Sequence, residues 1–319
     1  MDSNVEVSII CNTYNHEKYI RDTIEGFLMQ KTNFSYEILI HDDASTDRTP
    51  EIIREYEMKY PEIIKPIYQT ENKYSKGINI MDLYQRPRVS GRYIALCEGD
   101  DYWIDKNKLQ KQFDALENCA QVDMCAHGAK MLKAKNGKNA GNVTPSKDTT
   151  IFNIEAVIRG GGEFFATNTL FFRRALLDNP PEFRKICPYD YALQIAGALR
   201  GGVLYLPELM SVYRIAVPGS WTQRIGNSKY YVSQAELLKN MLDMVNFETE
   251  KKYEQVIIEK KRELTFKELE AKRDYEELKS REYSDLYIKQ PVKWKIKLYI
   301  KETFPILYNF HKRVKNLDD

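Results

Sequence analysis

Arg92-Tyr93-Ile94-Ala95-Leu96-Cys97-Glu98-Gly99-Asp100-Asp101-Tyr102-Trp103 is the stretch that decides the fold. Its first half is a short apolar run, the pattern of a buried strand. Its second half ends that run with Glu98, a glycine and the adjacent carboxylates Asp100 and Asp101. The same pattern stands earlier: Tyr36 to Ile40 reads as a strand and runs into His41-Asp42-Asp43. Before that, Val5 to Cys11 is a β-branched run followed by the turn-like Asn12-Thr13-Tyr14-Asn15. Between these strands the period changes. Tyr19/Ile20, Ile24 and Phe27/Leu28 repeat at three and four residues, as in an amphipathic helix. Thr49 and Pro50 fit the N-cap and first position of a second helix, and Ile63 to Tyr68 fits another strand. This alternation predicts an α/β fold with a mostly parallel sheet flanked by helices. Ligands of such sheets bind at the carboxyl ends of the strands, which is where both acidic pairs fall.

Further along, residues 133–150 are rich in Lys, Asn, Gly, Thr and Ser and read as a surface loop. Residues 189–200 read as a helix. Val203 to Leu206 and Met210 to Ile215 read as two short strands around Pro207-Glu208. From about residue 226 the character shifts to long helices, and the pairs Glu263/Lys267, Glu268/Lys272 and Glu277/Arg281 have the favourable i,i+4 order. The expected organisation is a catalytic domain over 1–225 and a solvated helical C-terminal extension over 226–319. Between Lys289 and Lys315 there are seven Lys and one Arg against a single Glu, with Trp294, Tyr299, Phe304, Tyr308 and Phe310 interleaved. Val292, Trp294, Ile296, Leu298 and Ile300 alternate with other residues, a strand period. Phe304, Leu307, Tyr308 and His311 have helical spacing. The composition of 289–315 suits an anionic membrane surface; a tail packed on the catalytic domain or in a dimer is the alternative.

Bulk properties narrow the classes. The chain has 319 residues, 43% hydrophobic and 29% charged, with a formal net charge of +2. That balance lacks the basic excess of a nucleic-acid binder. No apolar run approaches the roughly 18 residues that span a bilayer. Met1-Asp2-Ser3-Asn4 lacks the basic and apolar regions of a secretory signal, so a cytoplasmic location is expected; the membrane reading of the basic tail would add peripheral attachment at the inner face of the cytoplasmic membrane, and the packed-tail alternative would not. The five cysteines form no CxxC pair and read as free thiols of a reducing compartment, while the four histidines show no zinc spacing. The first strand is not followed by GxGxxG, which excludes a dinucleotide-dependent dehydrogenase. It is not followed by a Gly-rich basic loop either, as a nucleotidyltransferase would have. Ala44 follows Asp42 at the second position, so the Asp-x-Asp of an aspartyl phosphatase is absent.

Two adjacent carboxylates at a strand end repel each other unless a cation neutralises them. Hard oxygen ligands suit Mg²⁺ or Mn²⁺, which bind through one or two carboxylates plus substrate phosphates. Capping of a helix beginning near Asp105 is the bland alternative for Asp100/Asp101. Asp42-Asp43-Ala44-Ser45-Thr46-Asp47 is either an ordinary turn and cap or a place where a carboxylate accepts a hydrogen bond from a nucleobase.

Taken together, Val7-Ser8-Ile9-Ile10 with Thr13-Tyr14-Asn15, then Asp42 to Asp47, then Glu98 to Trp103, then Asp190-Tyr191-Ala192-Leu193 and Leu206 to Arg214, occur in an order that resembles the GT-A-fold, family 2 glycosyltransferases. That family includes many polysaccharide-building enzymes. The resemblance covers roughly residues 5–225. It implies an inverting, metal-dependent transfer of a sugar from a nucleotide-sugar donor, typically a UDP-sugar, to a hydroxyl of a glycan or lipid-linked acceptor. It implies that Thr13, Tyr14 and Asn15 line the donor pocket and that Asp43 meets the base. Asp101 would hold Mn²⁺ or Mg²⁺, Asp100 would support it or reach the sugar and ribose, and Asp190 would be the catalytic base. Arg214 or Arg224 would assist the leaving diphosphate. The sequence departs from the family pattern at Asn12, where Pro is usual, and at Ala44, where Gly is usual, so a glycine-only turn is not expected there. Tyr189-Asp190 replaces a frequent Glu-Asp. A Gln-x-x-Arg-Trp element of processive synthases is absent, so single rather than repeated transfer is expected. The non-enzymatic alternative is a nucleotide-binding scaffold of a polysaccharide assembly complex.

Overall fold

The computed structural model describes residues 5–304. The chain opens with β1 (Val5–Thr13), α1 (Ile20–Leu28), β2 (Ser35–Asp42), α2 (Thr49–Lys59), β3 (Ile64–Tyr68) and β4 (Tyr93–Leu96). Then come β5 (Tyr102–Trp103), α3 (Lys108–Glu117), β6 (Met124–Lys133), β7 (Asn139–Val143), β8 (Thr150–Phe152), α4 (Ile154–Gly160) and β9 (Phe171–Arg173). The short helices α5 (Ala175–Asp178) and α6 (Glu182–Ile186) lead to α7 (Asp190–Ala198) and the long β10 (Val203–Ile215). The C-terminal part is helical: α8 (Trp221–Arg224), α9 (Ser228–Glu248), α10 (Glu254–Lys272), α11 (Tyr275–Leu278), α12 (Ser284–Lys289) and α13 (Val292–Thr303).

One sheet runs through the molecule in the order β3-β2-β1-β4-β9-β6-β10-β5, with β7 paired to β6 and β8 to β10. The first four strands are parallel, as their helical crossovers require. Beyond β4 the sheet is mixed: β9 runs antiparallel to β4 and β6, while β6 and β10 are parallel. Both faces of the central strands are covered, so β1, β2 and β4 read as apolar runs at their centres and their alternate residues enter different layers. Ile9, Cys11, Ile38 and Ile40 pack with Ile24 and Phe27 of α1, Ile53 of α2 and Leu109 of α3. Ile10, Leu39 and Ile94 join Val157 of α4, Tyr191 and Ile195 of α7, Met241 of α9 and Ile257 of α10. The cysteines are free, and four of the five are buried.

Several expectations shift. Thr49 is the first residue of α2 rather than its cap; Asp47 does the capping, its Oδ1 accepting from Thr49 N at 3.0 Å and from Thr49 Oγ1 at 2.6 Å. The loop 133–150 contains β7, an edge strand whose polar residues face solvent. The two short strands around Pro207 are one strand, β10, with register shifts at Leu206/Leu209 and Leu209/Ser211. Pro lacks a ladder N–H, and a bulge is where a sheet tolerates it. The helices after residue 226 are not all a solvated extension, because α9 and α10 belong to the same core as α4 and α7. α11 to α13 form a smaller cluster on Phe266, with Tyr275, Leu278, Tyr283 and Leu298. Val292 to Ile300 is a helix, not a strand. Its alternating apolar residues fall on two opposite helical faces, Trp294/Leu298 packed and Val292/Ile296/Ile300 outward, and two such stripes imitate period two. The helical spacing of Leu307, Tyr308 and His311 lies outside the described residues.

Candidate active site

The ends of β1, β2 and β4 lie side by side, Thr13 against Asp42 and Ile10 against Leu96. Three loops therefore leave the sheet together, and backbone bonds tie them. Asp43 N donates to Thr13 O at 3.0 Å, and Gly99 N donates to Asn12 O at 2.9 Å. A side chain at Gly99 would put its Cβ 2.4 Å from Thr13 Oγ1, so this close approach of two strand ends needs glycine.

The loops after β1 and β2 interlock. Asn15 takes a left-handed conformation, φ 56°, and its Oδ1 accepts from Thr46 N at 2.8 Å. Its own N–H donates to Ser45 Oγ at 2.8 Å. Asp42 is buried and accepts from Ser45 Oγ at 2.5 Å; burial raises its carboxyl above the ordinary range. Asn15, expected in the donor pocket, thus holds the loop between β2 and α2. Ala44 also lies at positive φ, 62°, the conformation that the usual glycine would supply, so the glycine-type turn is present despite the substitution. Asp43 is buried, and its Oδ1 and Oδ2 accept the backbone N–H groups of Lys73 and Tyr74 at 2.8 and 2.9 Å. These bonds leave a lone pair on each oxygen for a ligand. Thr13 is buried, whereas Tyr14 is exposed beside it.

The second acidic group sits on the β4–β5 turn. Asp101 N donates to Glu98 O at 3.0 Å, and Thr23 Oγ1 of α1 clamps the turn by donating to Gly99 O and Asp101 O at 3.1 and 2.5 Å. Asp101 is 1% exposed. Its Oδ1 accepts Arg214 N at 2.7 Å, while its Oδ2 is buried with no partner among the described residues. Desolvation, then the neighbouring Asp100 charge, drives its carboxyl well above the ordinary range. A buried carboxylate oxygen without a donor is costly unless a cation takes that place. Asp100 lies 3.9 Å from His16 Nε2, and His16 Nδ1 is 3.1 Å from Thr13 Oγ1. Desolvation lowers the His16 pKa against the pull of Asp100, so the ring stays neutral at ordinary pH. Glu98 is exposed at the rim; desolvation and then the charges of Asp100 and Asp190 push its carboxyl up, an effect that water at its surface moderates. Among the described residues no three His, Cys, Asp or Glu side chains are grouped as a complete metal cage. A cation shared with a diphosphate does not need one, since one or two carboxylates suffice. The donor set of Asp101 and Asp100 fits that case.

Asp190 begins α7. Its Oδ2 accepts from Thr167 Oγ1 at 2.5 Å, and desolvation raises its carboxyl above the ordinary range. Tyr213 links the two acidic regions: burial, then the charges of Asp101, Glu98, Asp190 and Asp100, hold its phenol protonated. The charges of all four carboxylates therefore reach Tyr213. Arg214 is not free to meet a donor. Its Nη1 donates to Asp100 O at 2.8 Å, its Nη2 pairs with Asp22, and its guanidinium lies between the Tyr19 and Tyr102 rings, 5.0 and 4.4 Å from their centroids. It braces the acidic turn. Arg224 is better placed for an anion: it bonds Tyr74 Oη at 2.9 Å, its Nε is buried without a partner among the described residues, and its charge reaches Glu98.

His16, Thr167 and Tyr213 were not among the residues singled out from sequence. His16 follows the Thr-Tyr-Asn element directly, and Tyr213 precedes Arg214 within a quoted motif, so proximity to those motifs was the available signal. Thr167 gave none.

Comparison with known proteins shows the family. Residues 8–178 match the family described as "Glycosyl transferase family 2". An uncharacterized protein of Mycobacterium tuberculosis is 35% identical over 246 residues, 75% of this chain and 69% of the relative. A Bacillus subtilis protein, TuaG, named for teichuronic acid biosynthesis as a glycosyltransferase, is 38% identical over 116 residues, 36% of this chain and 44% of TuaG. Among solved structures, S. aureus TarS 1–349 in complex with UDP superposes with a TM-score of 0.58 at 17% identity, over 93% of this chain and 79% of that one. A longer TarS structure matches over 40% of its length. The Pyrobaculum calidifontis mannosyltransferase PcManGT, in complex with GDP-Man and Mn²⁺, superposes with a TM-score of 0.51 at 12% identity, over 94% and 88% of the two chains. The fold is the GT-A fold of these enzymes, and the chain belongs to glycosyl transferase family 2.

Proposed function

We propose that the protein is an inverting, non-processive glycosyltransferase that moves a hexosyl group from a UDP-sugar to a hydroxyl of a glycan or lipid-linked acceptor in the assembly of a cell-surface polysaccharide. The observation that carries this reading is the buried, unpartnered Oδ2 of Asp101 beside Asp100, at the strand ends where a nucleotide diphosphate binds in such sheets. A UDP-bound TarS with the same fold and a TuaG relative named for teichuronic acid biosynthesis support the donor and the product class. Manganese in PcManGT supports a divalent cation at Asp101 and Asp100.

In this reading Asp43, Thr13 and Tyr14 receive the nucleoside. Asp101 and Asp100 would hold Mn²⁺ or Mg²⁺, which would supply positive charge to stabilise the leaving diphosphate. Arg224 adds a second positive group, and Arg214 keeps the acidic turn in register. Asp190 takes the proton of the acceptor hydroxyl as the new bond forms. Its raised pKa suits a base, and Thr167 fixes its orientation. A base that deprotonates the acceptor on the face opposite the leaving group gives inversion, as in inverting glycoside hydrolysis.

The test is thermal unfolding with UDP, GDP or dTDP, each with and without Mn²⁺, in wild type and Asp101→Asn. The variant keeps an acceptor for Arg214 N. A nucleotide at 100 times its Kd stabilises by about 2.7 kcal/mol. The expected result is a Mn²⁺-dependent shift with UDP that Asp101→Asn loses. A shift with another nucleotide would replace uridine as the base. No shift with any nucleotide would overturn donor binding. The anomeric proton coupling of the product, read by NMR, decides inversion.

A further inference from the structure

α13 is amphipathic twice over. Its inner face is fixed: Leu298 is buried, Trp294 lies against Phe266 and Tyr287, and Trp294 Nε1 donates to Glu270 Oε2 at 3.0 Å. Lys301 Nζ pairs with Glu270 Oε1 at 2.8 Å. These bonds set the rotation of the helix. They leave Val292, Ile296, Tyr299 and Ile300 pointing away from the protein, the first three 71%, 54% and 60% exposed. At 100° per residue these four positions form a single stripe about 100° wide. Lys293 and Lys297 border it on one side and Lys295 on the other, and the acidic residue of this helix, Glu302, is paired with Lys279. Ile288 and Lys289, just before the helix, extend the same composition.

A folded protein gains nothing by holding bulky aliphatic groups in water along a helix already anchored by its other face. Lysines flanking such a stripe can lay their methylene stems over apolar matter and keep their ammonium groups in a polar layer. That order, an apolar band bordered by cations, matches an anionic bilayer surface, where the band enters the acyl boundary and the lysines meet headgroup phosphates. A protein partner would need its own acidic rim. No helix among the described residues is long and apolar enough to cross a membrane, so the contact is with the surface.

We infer that the outer face of α13, Val292/Ile296/Tyr299/Ile300 with Lys293, Lys295 and Lys297, docks the protein on an anionic lipid surface. The inference goes beyond the transfer reaction and is tested without it. The full chain is sedimented with vesicles of phosphatidylcholine alone or mixed with phosphatidylglycerol, at low and high salt. The expected result is binding to the mixed vesicles that weakens with salt. Ile296→Ser with Ile300→Ser should abolish it. Lys293→Gln with Lys297→Gln should weaken it roughly 25-fold, at roughly fivefold per lysine. All variants alter exposed positions, and an unchanged melting temperature checks their folding. Three outcomes overturn the inference: no binding to mixed vesicles at low salt, equal binding by the isoleucine variant, or a dimer in solution that Ile296→Ser dissociates, which would make the face a contact between copies.

Discussion

Ala44 sits in the left-handed region at φ 62°, one residue after the aspartate that meets Lys73 and Tyr74. An alanine there carries a steric cost that glycine does not. Ala44→Gly is therefore expected to stabilise the fold by about 1 kcal/mol in urea titration, because the strain relieved exceeds the added entropy of the unfolded chain. An unchanged or lower stability would mean that the strain relieved does not exceed the added entropy of the unfolded chain. Alanine where the family usually has glycine does not favour this turn; local bonds from Asn15, Ser45 and Thr46 hold it against that residue preference. Asp190 carries a second expectation. Asp190→Asn should lower turnover roughly 10²- to 10⁴-fold while leaving the nucleotide-dependent melting shift intact. In wild type, the base acts when deprotonated, so activity falls as pH drops through its raised pKa, above the ordinary aspartate range. Thr167 donates to this carboxylate and Arg184 faces it with positive charge, both opposing the rise. Thr167→Val removes the donor and should move the acid limb of the kcat profile to higher pH. An unmoved limb would take Thr167 out of the base's environment. Motif order made the carboxylates legible in the sequence; Thr167 was not, because its contact with Asp190 exists only once α7 folds back onto the segment before β9.

Elements show where pattern reading succeeds and where packing decides. β1, β2 and β4 were legible because their centres, Ile9 to Cys11, Ile38 to Ile40 and Tyr93 to Leu96, are buried on both faces and apolar at consecutive positions. α13 was misread because a helix with two apolar stripes alternates like a strand. α3 holds a feature that no pattern announces. Lys108 is fully buried, 3.8 Å from the centroid of the Trp103 ring, with Nζ donating to Gln112 Oε1 at 2.7 Å. Desolvation lowers its pKa to about 7; the thiols of Cys97 and Cys125 oppose this, and buried His127 lies close enough to feel the charge. The unfolded lysine keeps its proton up to about 10.5. Between about 7 and that value the unfolded chain binds the extra proton, so this residue makes stability rise with pH by roughly 1.4 kcal/mol per unit. Below about 7 the whole cost of burying the ammonium is present. Lys108→Met removes that cost at every pH and adds a fixed loss at Gln112. Relative to wild type, the variant should gain most at pH 6 and progressively less toward pH 9, measured by guanidinium unfolding. A difference that stays flat with pH would show that Lys108 remains charged against Trp103 throughout.

At the scale of the whole molecule, the place where the chain divides is set by shared cores. The charged i,i+4 pairs of the sequence read as solvated helices, but in the structure α9 buries Met241, Leu242 and Val245, and α10 buries Val256, Ile257 and Leu264. In the folded protein these residues meet Val157 and Ile158 of α4, Phe183 of α6 and Tyr191 of α7. Polar contacts repeat the attachment: Glu248 accepts the N–H groups of Glu182 and Phe183, Lys260 donates to Arg159 O, and Arg159 pairs with Glu259. A chain ending at residue 225, at the boundary the charged helices suggest, would expose this apolar layer in one contiguous patch, a surface that drives association. It is expected to bind a hydrophobic dye, to lose its cooperative near-UV transition on heating, and to show no nucleotide-dependent shift. A chain ending at residue 273 retains both large cores and gives up only the cluster around Phe266, Tyr275 and Leu278. It should melt cooperatively and keep the nucleotide response, yet fail to sediment with anionic vesicles because α13 is gone. If the chain ending at 225 melted as sharply as the longer one and answered to the same nucleotide, α9 and α10 would be an addition to a self-sufficient catalytic unit. If it does not, they are the last layer of the catalytic domain, and the separable part of the molecule begins at α11.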